Sequence, residues 1–453
     1  MHAQSFFWHD YETFGVLPRR DRPAQFAGIR TDLELNEIDE PVMQYCQPAP
    51  DYLPDPFACL LTGILPQRCL DEGHPEHVFA ATIERELGRP GTIGVGYNTI
   101  RFDDEVTRHL FWRNLIDPYA REWQNGCGRW DLLDVVRTTW SLRPEGIEWP
   151  RHEDGRPSFK LEHLSAANGL VHEAAHDALS DVRATIALAR LIRTRQPRLW
   201  EFCLALHKKE AVLKEIDLVH PKPFLHISGM FPVERGCLAV AWPLAQHPTN
   251  KNEIIVWDLA FDPAELATLD AETVRQRMFT KAEDLPEGVS RLPIKTIHIN
   301  KSPSVIGKLK TLAPAQAEKW GIDLAQAQQH AETASQLPAL NALWAGVFQR
   351  PGSTEPIDVD EDLYGGFVGN GDRRKLNDLH ALAPEALAKE HVSFQDERLE
   401  ELFFRYRARN FPESLSTEEQ ELWLAHRVAN LHQGAGGARS LAAFFEQLDT
   451  LSE

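Results

Sequence analysis

The chain has 453 residues, of which 43% are hydrophobic and 25% charged, and its formal net charge is −19. This length exceeds one ordinary hydrophobic core, so two or three domains are expected. No stretch approaches the roughly 18 uninterrupted apolar residues of a membrane helix. The N-terminus, MHAQSFFWHDYE, lacks the basic region of a signal peptide, and a cytoplasmic location is expected.

The charge excludes a protein that coats nucleic acid nonspecifically, but not an enzyme whose acids hold metal ions. Basic residues are concentrated in three places: 190–222, 291–310 and Arg405–Arg409. Each cluster either follows a phosphate backbone or is an ordinary solvated face. The six cysteines are scattered and never form a CxxC pair, which favours reduced thiols over a zinc site.

Residues 1–197 have the pattern of a mixed α/β domain. Strands are predicted at SFFWHD, QFAGIRTDLEL, VMQYC and TIGVGYN, because these short apolar runs are bounded by turn residues. FDDEVTRHLFWRNL has helical spacing, and DALSDVRATIALARLIRTRQP predicts a strong helix that ends before Pro197. We expect a central sheet covered by helices.

The pattern changes after this helix. Residues 198–350 contain short β-like runs, with helical stretches such as AETVRQRMF and ASQLPALNALWAGVF among them, which predicts a small β-rich domain with helical attachments. The polar, proline-bearing stretch PGSTEPIDVDED is a linker candidate. Residues 351–453 have the spacing of an all-helical domain.

Two acids at the end of the first predicted strand are the first chemical signal. Asp10 and Glu12 are two positions apart, so on a strand both carboxylates face the same way. Their repulsion is costly unless a cation lies between them. Asp103 follows the strand-turn signal GYNTIRF, which puts a third acid at the mouth of the sheet. Each signal alone is weak, because a solvated strand end often carries such residues.

His176 and Asp181 are the last signal. Five positions on one continuous helix would separate them by about 140°. They converge if His176 lies in the loop before the helix and Asp181 in its second turn, and Asp177 is a suitable N-cap residue for that start. A capping or surface role for His176 remains the alternative.

The order D-x-E, NxxxFD, HxxxxD resembles the DEDDh class of 3′→5′ exonucleases, whose fold is similar to ribonuclease H. Leu61-Thr62-Gly63-Ile64 resembles the LTGI-type segment of that class, and FKLEHL with Gly169 resembles its approach to the last motif. HDYETFG, RPAQFAGIRTD, GYNTIRFDDEVTRH, LRPEGIEWP, TRQPRLW, ISGMF, HINK and FRYRARNFP further resemble the bacterial exonuclease I family. These segments span residues 7 to about 412.

The resemblance implies the fold class and the chemistry. It implies a ribonuclease H-like α/β exonuclease domain (1–197), an SH3-like β-rich domain (198–350) and a C-terminal helical domain (351–453). The implied activity is 3′→5′ degradation of single-stranded DNA in repair and recombination, with two Mg²⁺ ions that Mn²⁺ can replace. Asp10, Glu12 and Asp181 would hold the metal, Asp103 would hold metal-bound water, and His176 would be the general base.

The resemblance also implies binding residues and partners. Thr13, Leu61 and Thr62 match positions at the terminal nucleotide. Arg143 and Lys222 match positions that dock the acidic C-terminal tail of single-strand DNA-binding protein. The sequence departs from the family at Ala313, where arginine is expected, and Lys308 and Lys310 are candidates to replace its charge. A monomer is expected.

Other functions are alternatives to this one. An RNA 3′ exonuclease remains open because no motif excludes the 2′-hydroxyl. A proofreading subunit would be shorter, and a catalytically dead binding protein would have lost an acid of the set. A phosphoesterase for small substrates does not need the large additional domains.

Overall fold

The structure is a computed structural model that describes residues 3–171, 177–349, 357–380, 382–387, 390 and 392–452. No helix in this described part of the chain has the length and apolarity that crossing a membrane requires. The chain forms two compact units. The first contains Met1–Gly128, Val171–Ile186 and Thr354–Glu453, and the second contains Arg129–Leu170 and Ala187–Ser353.

Within the described residues, ten strands form two five-stranded sheets. The first sheet contains β1 (Ser5–Thr13), β2 (Pro23–Thr31), β3 (Val42–Tyr45), β4 (Thr92–Gly96) and β5 (Gly128–Asp131). The second contains β6 (Phe224–Ile227), β7 (Leu238–Gln246), β8 (Glu253–Asp258), β9 (Ile294–His298) and β10 (Ser304–Ile306). The four strands predicted before residue 100 are confirmed.

The described residues also form α-helices along the whole chain. They are α1 (Pro56–Thr62), α2 (Pro66–Glu72), α3 (Glu76–Gly88), α4 (Asp103–Arg113), α5 (Leu132–Leu142), α6 (Leu161–Ala167), α7 (Ala178–Arg195), α8 (Pro197–Ala205), α9 (Lys209–Glu215), α10 (Ala271–Phe279), α11 (Pro314–Lys319), α12 (Leu324–Ser335), α13 (Asn341–Val347), α14 (Asn370–His380), α15 (Pro384–Leu387), α16 (Arg398–Asn410), α17 (Thr417–Gln433) and α18 (Leu441–Ser452).

The first sheet has the order β3-β2-β1-β4-β5, with β1 antiparallel to β2 and parallel to β4. Side chains alternate between the two faces of a strand. Phe7 and Tyr11 of β1 therefore lie on one face, where they pack with residues of α3 and α4 in a hydrophobic core. Asp10 and Glu12, at the even-numbered positions of the strand, belong to the opposite face.

The second unit is built on the antiparallel sheet β10-β6-β7-β8-β9. Alternate residues of its strands enter two cores: Leu225, Val240 and Trp257 lie in one, and Phe224 and Ile254 lie in the other. Both faces are covered, which explains why β6, β7 and the middle of β8 are apolar at nearly every position.

The C-terminal helices belong to the first unit. Leu376 of α14 and Leu399 of α16 share a buried cluster with Trp112 and Leu115 at the end of α4. The segments 398–410 and 1–128 are therefore parts of one compact unit, although they are far apart in the sequence.

Two expectations need correction. ASQLPALNALWAGVF is not one helical stretch: α12 ends at Ser335 and α13 begins at Asn341, because Pro338 lacks an N–H donor and disfavours helical geometry in the residue before it. The basic cluster Arg405–Arg409 is neither of the two alternatives, a phosphate-binding surface or a solvated face. Its three arginines are buried in ion pairs with acids of the same unit.

Candidate active site

Asp10 and Glu12 lie on the last half of β1, on the face away from Phe7. Opposite them on β2 are Ala27 and Gln25, respectively. Directly opposite residues of neighbouring strands place their side chains on the same face.

Asp181 comes to these two acids from the first turns of α7. The helix begins at Ala178, and the Asp177 side chain accepts the backbone N–H of Ser180 at 3.1 Å, as the N-cap prediction required. Carboxylate oxygens of Asp10, Glu12 and Asp181 all lie within 4.8 Å of one another. The structure thus brings together the three predicted metal ligands, although Asp10 and Asp181 are 171 positions apart in the chain.

Asp103 is the first residue of α4 and is 4% exposed. Its Oδ1 accepts the backbone N–H of Tyr11, between the two acids of β1, at 3.1 Å. Its own backbone carbonyl accepts the hydroxyl of Thr107 at 2.8 Å. The prediction placed this acid at the mouth of the sheet; it lies there at a helix N-terminus, where a negative charge is favoured.

The acids repel one another. Burial and then the charges of Asp103, Glu12 and Asp181 raise the pKa of Asp10 well above its ordinary value. Burial, followed by the charges of Asp181 and Asp177, raises the pKa of Glu12 to about 8. Because both pKa values are raised, the protein around Asp10 and Glu12 supplies too little positive charge to stabilise their ionised carboxylates. A bound cation would supply that charge.

The donors suit a hard divalent cation. The group within reach consists of carboxylates, whose oxygens are the ligands that Mg²⁺ and Mn²⁺ prefer. All six cysteines are buried and free of disulfides, and none belongs to this group. The described residues therefore fit an oxygen-ligated divalent metal.

The predicted base, His176, lies outside the described residues. The chain is described again from Asp177, whose side-chain Oδ1 is within 3.4 Å of the Gln25 amide. Asp177 itself lies beside the acid cluster, because its charge raises the pKa of Asp10 and of Glu12.

The residues predicted to contact the terminal nucleotide lie near the same end of β1. Thr13 is the last residue of β1, and its hydroxyl donates to the carbonyl of Gly15 at 2.6 Å. The backbone N–H of Asp55, the N-cap of α1, donates to the carbonyl of Phe14 at 2.8 Å. Leu61, which is 54% exposed, and Thr62 end α1.

Arg143 and Lys222 lie in the second unit. Arg143 follows α5 and lines a cavity of about 500 Å³. Lys222 is exposed in the segment before β6 and is not among the residues that line this cavity. Lys308, the candidate to replace the charge missing at Ala313, does line it.

Two neighbours of the acid cluster carried little signal in the sequence. Asp177 was recognised only as a cap, yet its charge raises the pKa of both Asp10 and Glu12. Gln25 is buried opposite Glu12 and contacts the start of α7. Only the register between β1 and β2 identifies it.

Three family models together match most of the chain. The Exonuclease model matches residues 7–189, the Exonuclease I SH3-like domain matches 207–350, and the Exonuclease I C-terminal domain matches 357–453. They confirm the predicted fold class: an exonuclease domain, then an SH3-like domain, then the C-terminal domain.

Known proteins are similar over nearly the full length. Exodeoxyribonuclease I of Escherichia coli K12 is 46% identical over 93% of this chain and 89% of its own. A moderately thermophilic exonuclease I from Methylocaldum szegediense is 48% identical, with a TM-score of 0.94 over 99% of this chain and 95% of its own.

Structures of the E. coli enzyme add its ligands. Its complex with a dA16 oligonucleotide has a TM-score of 0.92 and 44% identity, covering 99% of this chain and 94% of that one. A zinc-bound form of its complex with single-stranded DNA has a TM-score of 0.90 and 43% identity, with the same coverage. The chain belongs to the exonuclease I family of 3′→5′ exodeoxyribonucleases.

Proposed function

We propose that the chain hydrolyses single-stranded DNA from its 3′ end to 5′-mononucleotides, in DNA repair and recombination, with two Mg²⁺ ions that Mn²⁺ can replace. The observation that carries this proposal is the group of three carboxylates within 4.8 Å of one another, two of which have raised pKa values. The carboxylates of such a group repel one another, and bound divalent cations reduce this repulsion.

Asp10, Glu12 and Asp181 would hold the cations. When bound, the ions supply Lewis-acid activation of the attacking water and stabilisation of the departing 3′-oxygen. Asp103 holds the backbone between Asp10 and Glu12 in place through Tyr11 and adds a negative charge beside them. His176 would accept the proton of the attacking water, since its ordinary pKa lies near neutrality.

Thr13, Leu61 and Thr62 would contact the terminal nucleotide. The end of β1 and the beginning of α1 are joined by the hydrogen bond between Phe14 and Asp55. Leu61, in the last turn of α1, has an exposed apolar side chain on which a base can pack.

A single strand labelled at its 3′ end, compared with one labelled at its 5′ end and with the duplex, tests polarity and substrate together in the presence of Mg²⁺. We expect mononucleotides from the 3′ end of the single strand only. An RNA strand of the same sequence is the control for sugar preference, and equal rates on DNA and RNA would contradict the proposed substrate.

Asp10→Ala tests the site itself. We expect this variant to lose degradation and to keep most of its DNA binding, because the carboxylate serves the cations rather than the strand. Asp71→Ala, an exposed acid of the same unit, is the control and should be fully active. Equal loss of binding and cleavage in Asp10→Ala would refute the metal-ligand role.

The remaining assignments are also proposals. We retain the domain boundaries 1–197, 198–350 and 351–453, a monomeric state and a cytoplasmic location. The family models, which end and begin at residues 189, 207, 350 and 357, support the two boundaries.

The cavity beside Arg143 supports docking of the acidic C-terminal tail of single-strand DNA-binding protein. Arg143, Arg198 and Lys308 give it three positive charges against the one acid Glu215. Leu199 and Phe202 add apolar surface. An acidic segment with an apolar side chain is complementary to such a lining.

A fluorescence titration with a labelled tail peptide tests this docking. We expect binding that weakens with salt and is lost in Arg143→Ala and Lys308→Ala. Lys222→Ala reports whether the peptide reaches beyond the cavity. Binding that is unchanged by Arg143→Ala would exclude this cavity as the docking site.

A further inference from the structure

Gln25 is a buried amide in the row of side chains that contains Glu12. It is 1% exposed and lies directly opposite Glu12 on β1 and Tyr45 on β3. The three side chains therefore share the face of the sheet that carries the acid cluster. A buried amide in such a place is costly unless both of its ends are hydrogen-bonded.

The two ends of the Gln25 amide contact Ala178, the first residue of α7, and Asp177, its N-cap. Its Oε1 accepts the backbone N–H of Ala178 at 3.2 Å, and its Nε2 lies 3.4 Å from Asp177 Oδ1 and 3.4 Å from Tyr45 Oη. The orientation of the amide follows from chemistry, because the N–H of Ala178 can only donate and a carboxylate can only accept.

These contacts lie between the two halves of the acid cluster. Ala178 is the first residue of α7, and Asp181 follows three positions later. The backbone carbonyl of Asp177 accepts the N–H of Asp181 at 3.0 Å. The start of the helix therefore fixes the position of Asp181. One side chain of β2 thus joins the sheet that carries Asp10 and Glu12 to the helix turn that carries Asp181.

The residue type suits this task. Glutamate could accept from Ala178, but it would add another negative charge where burial and acidic neighbours already raise the pKa of Glu12. Methionine would fill the volume without either hydrogen bond. A neutral side chain that donates and accepts, and that is long enough to reach across, is required.

We propose that Gln25 is a positioning residue that sets the distance between the strand acids Asp10 and Glu12 and the helix acid Asp181, and so the affinity of the site for its divalent cations. The inference rests on the proposed function. Removing a group that orients metal ligands typically lowers metal affinity or activity by about 10- to 100-fold.

The test compares Gln25→Met with Gln44→Met. Gln44 is a buried amide of the same sheet, and it donates to the carbonyl of Phe79 at 3.2 Å on the opposite face from Gln25 and Glu12. Mn²⁺ binding is measured by calorimetry, and the Mg²⁺ concentration for half-maximal cleavage of single-stranded DNA by a rate assay. Unfolding of each variant is followed in parallel.

We expect Gln25→Met to raise the Mn²⁺ dissociation constant and the half-saturating Mg²⁺ concentration by about 10-fold or more, with kcat partly recovered at saturating metal. Gln44→Met should lose comparable stability and keep the metal dependence of the wild type. Gln25→Asn, the same amide one methylene shorter, should resemble Gln25→Met.

Equal metal dependence in Gln25→Met and Gln44→Met would overturn the inference, as would an unchanged Gln25→Asn. Failure of the proposed function has a different signature, because the wild type would then neither bind Mn²⁺ through Asp10 nor cleave DNA. A wild type that cleaves beside an unaltered Gln25→Met would refute the positioning role alone.

Discussion

Asp103 and Asp104 are neighbours in the chain, yet their carboxylates have different surroundings. Asp103 accepts the backbone N–H of Tyr11 and adds its charge to the acid cluster. Asp104 is 1% exposed and forms an ion pair with the buried Arg121 at 2.6 Å. One acid therefore belongs to the site, and the other neutralises a buried cation.

Asp103→Asn and Asp104→Asn should therefore fail in different ways. The amide oxygen of Asp103→Asn can still accept from Tyr11, so we expect a folded protein with activity reduced by about 10- to 100-fold or more. Asp104→Asn leaves Arg121 buried without its counter-charge, which should cost about 3–5 kcal/mol of stability. Urea unfolding and cleavage rates of both variants check this; similar unfolding of the two would contradict it.

The raised pKa of Glu12 makes the stability of the metal-free protein depend on pH. Burial, and then the charges of Asp181 and Asp177, raise the pKa of Glu12 from 4.5 in the unfolded chain to about 8 in the folded one. Between these values the folded state binds more protons, so stability should fall as pH rises through the window. Added Mg²⁺ should stabilise increasingly over the same range.

Thermal unfolding in EDTA and in Mg²⁺ across this pH window measures the effect. Glu12→Gln is the control, because an amide cannot release a proton here, and its metal-free stability should vary less with pH. A metal-free wild type that becomes more stable towards pH 8 would contradict the assignment.

The sequence predicts those site residues whose spacing along the chain determines that their side chains lie together. Two acids two apart on a strand must share a face, so Asp10 and Glu12 were predictable. Gln25 was not, because its importance arises from the pairing register of β1 with β2. The division between Asp103 and Asp104 depends on Arg121, which is 17 positions away from Asp104 and has no local pattern that links them.

The N-terminus of α7 is the element on which the site depends. Its start was predictable because Asp177 is a strong N-cap residue, and the structure places the cap there. The break between α12 and α13 was missed, although Pro338 marks it, because apolar residues on both sides have helical spacing. Local capping signals thus predict helix ends better than apolar spacing does.

Asp177→Asn and Asp177→Ala separate the cap from the charge. Asparagine caps as well as aspartate, so Asp177→Asn should keep its stability and, without the extra charge, lower the pKa of Glu12. Asp177→Ala should lose about 1 kcal/mol. Unfolding in EDTA measures the stability of both variants. Equal destabilisation by the two would show that the charge of Asp177, rather than its cap, determines stability.

At the scale of the molecule, a buried charge cluster joins distant segments of the first unit. Arg409 of α16 contacts Asp51 at 2.7 Å and Asp360 at 2.5 Å, and Arg22 contacts Asp360 at 3.2 Å. Burial alone would raise the pKa of Asp51, but Arg409 and His426 hold that pKa well below its ordinary value. The C-terminal helices and residues 1–128 should therefore unfold together.

Arg409→Met tests this cooperativity. It removes the cation that Asp51 and Asp360 share, leaving Asp51 buried beside His426 and Asp360 beside Arg22 and Arg405, which should cost about 3–5 kcal/mol with little sensitivity to salt. Arg427→Met is the control: Arg427 donates to the carbonyl of Pro50 at 3.0 Å, and its loss should cost at most about 1.5 kcal/mol. An early, separate unfolding step of the C-terminal helices in wild type would contradict a single cooperative unit.

The separation of Asp51 and Arg409 has a consequence for synthesis of the protein. The two residues are 358 positions apart. At about 5–20 residues per second, a ribosome adds Arg409 roughly 20–70 s after Asp51. Until then the nascent chain carries Asp51 without Arg409, the cation that lies 2.7 Å from it in the folded protein, so the buried charge cluster of the first unit cannot form before Arg409 is added. A nascent chain that already contains the exonuclease acids therefore still lacks ion pairs that stabilise the same unit.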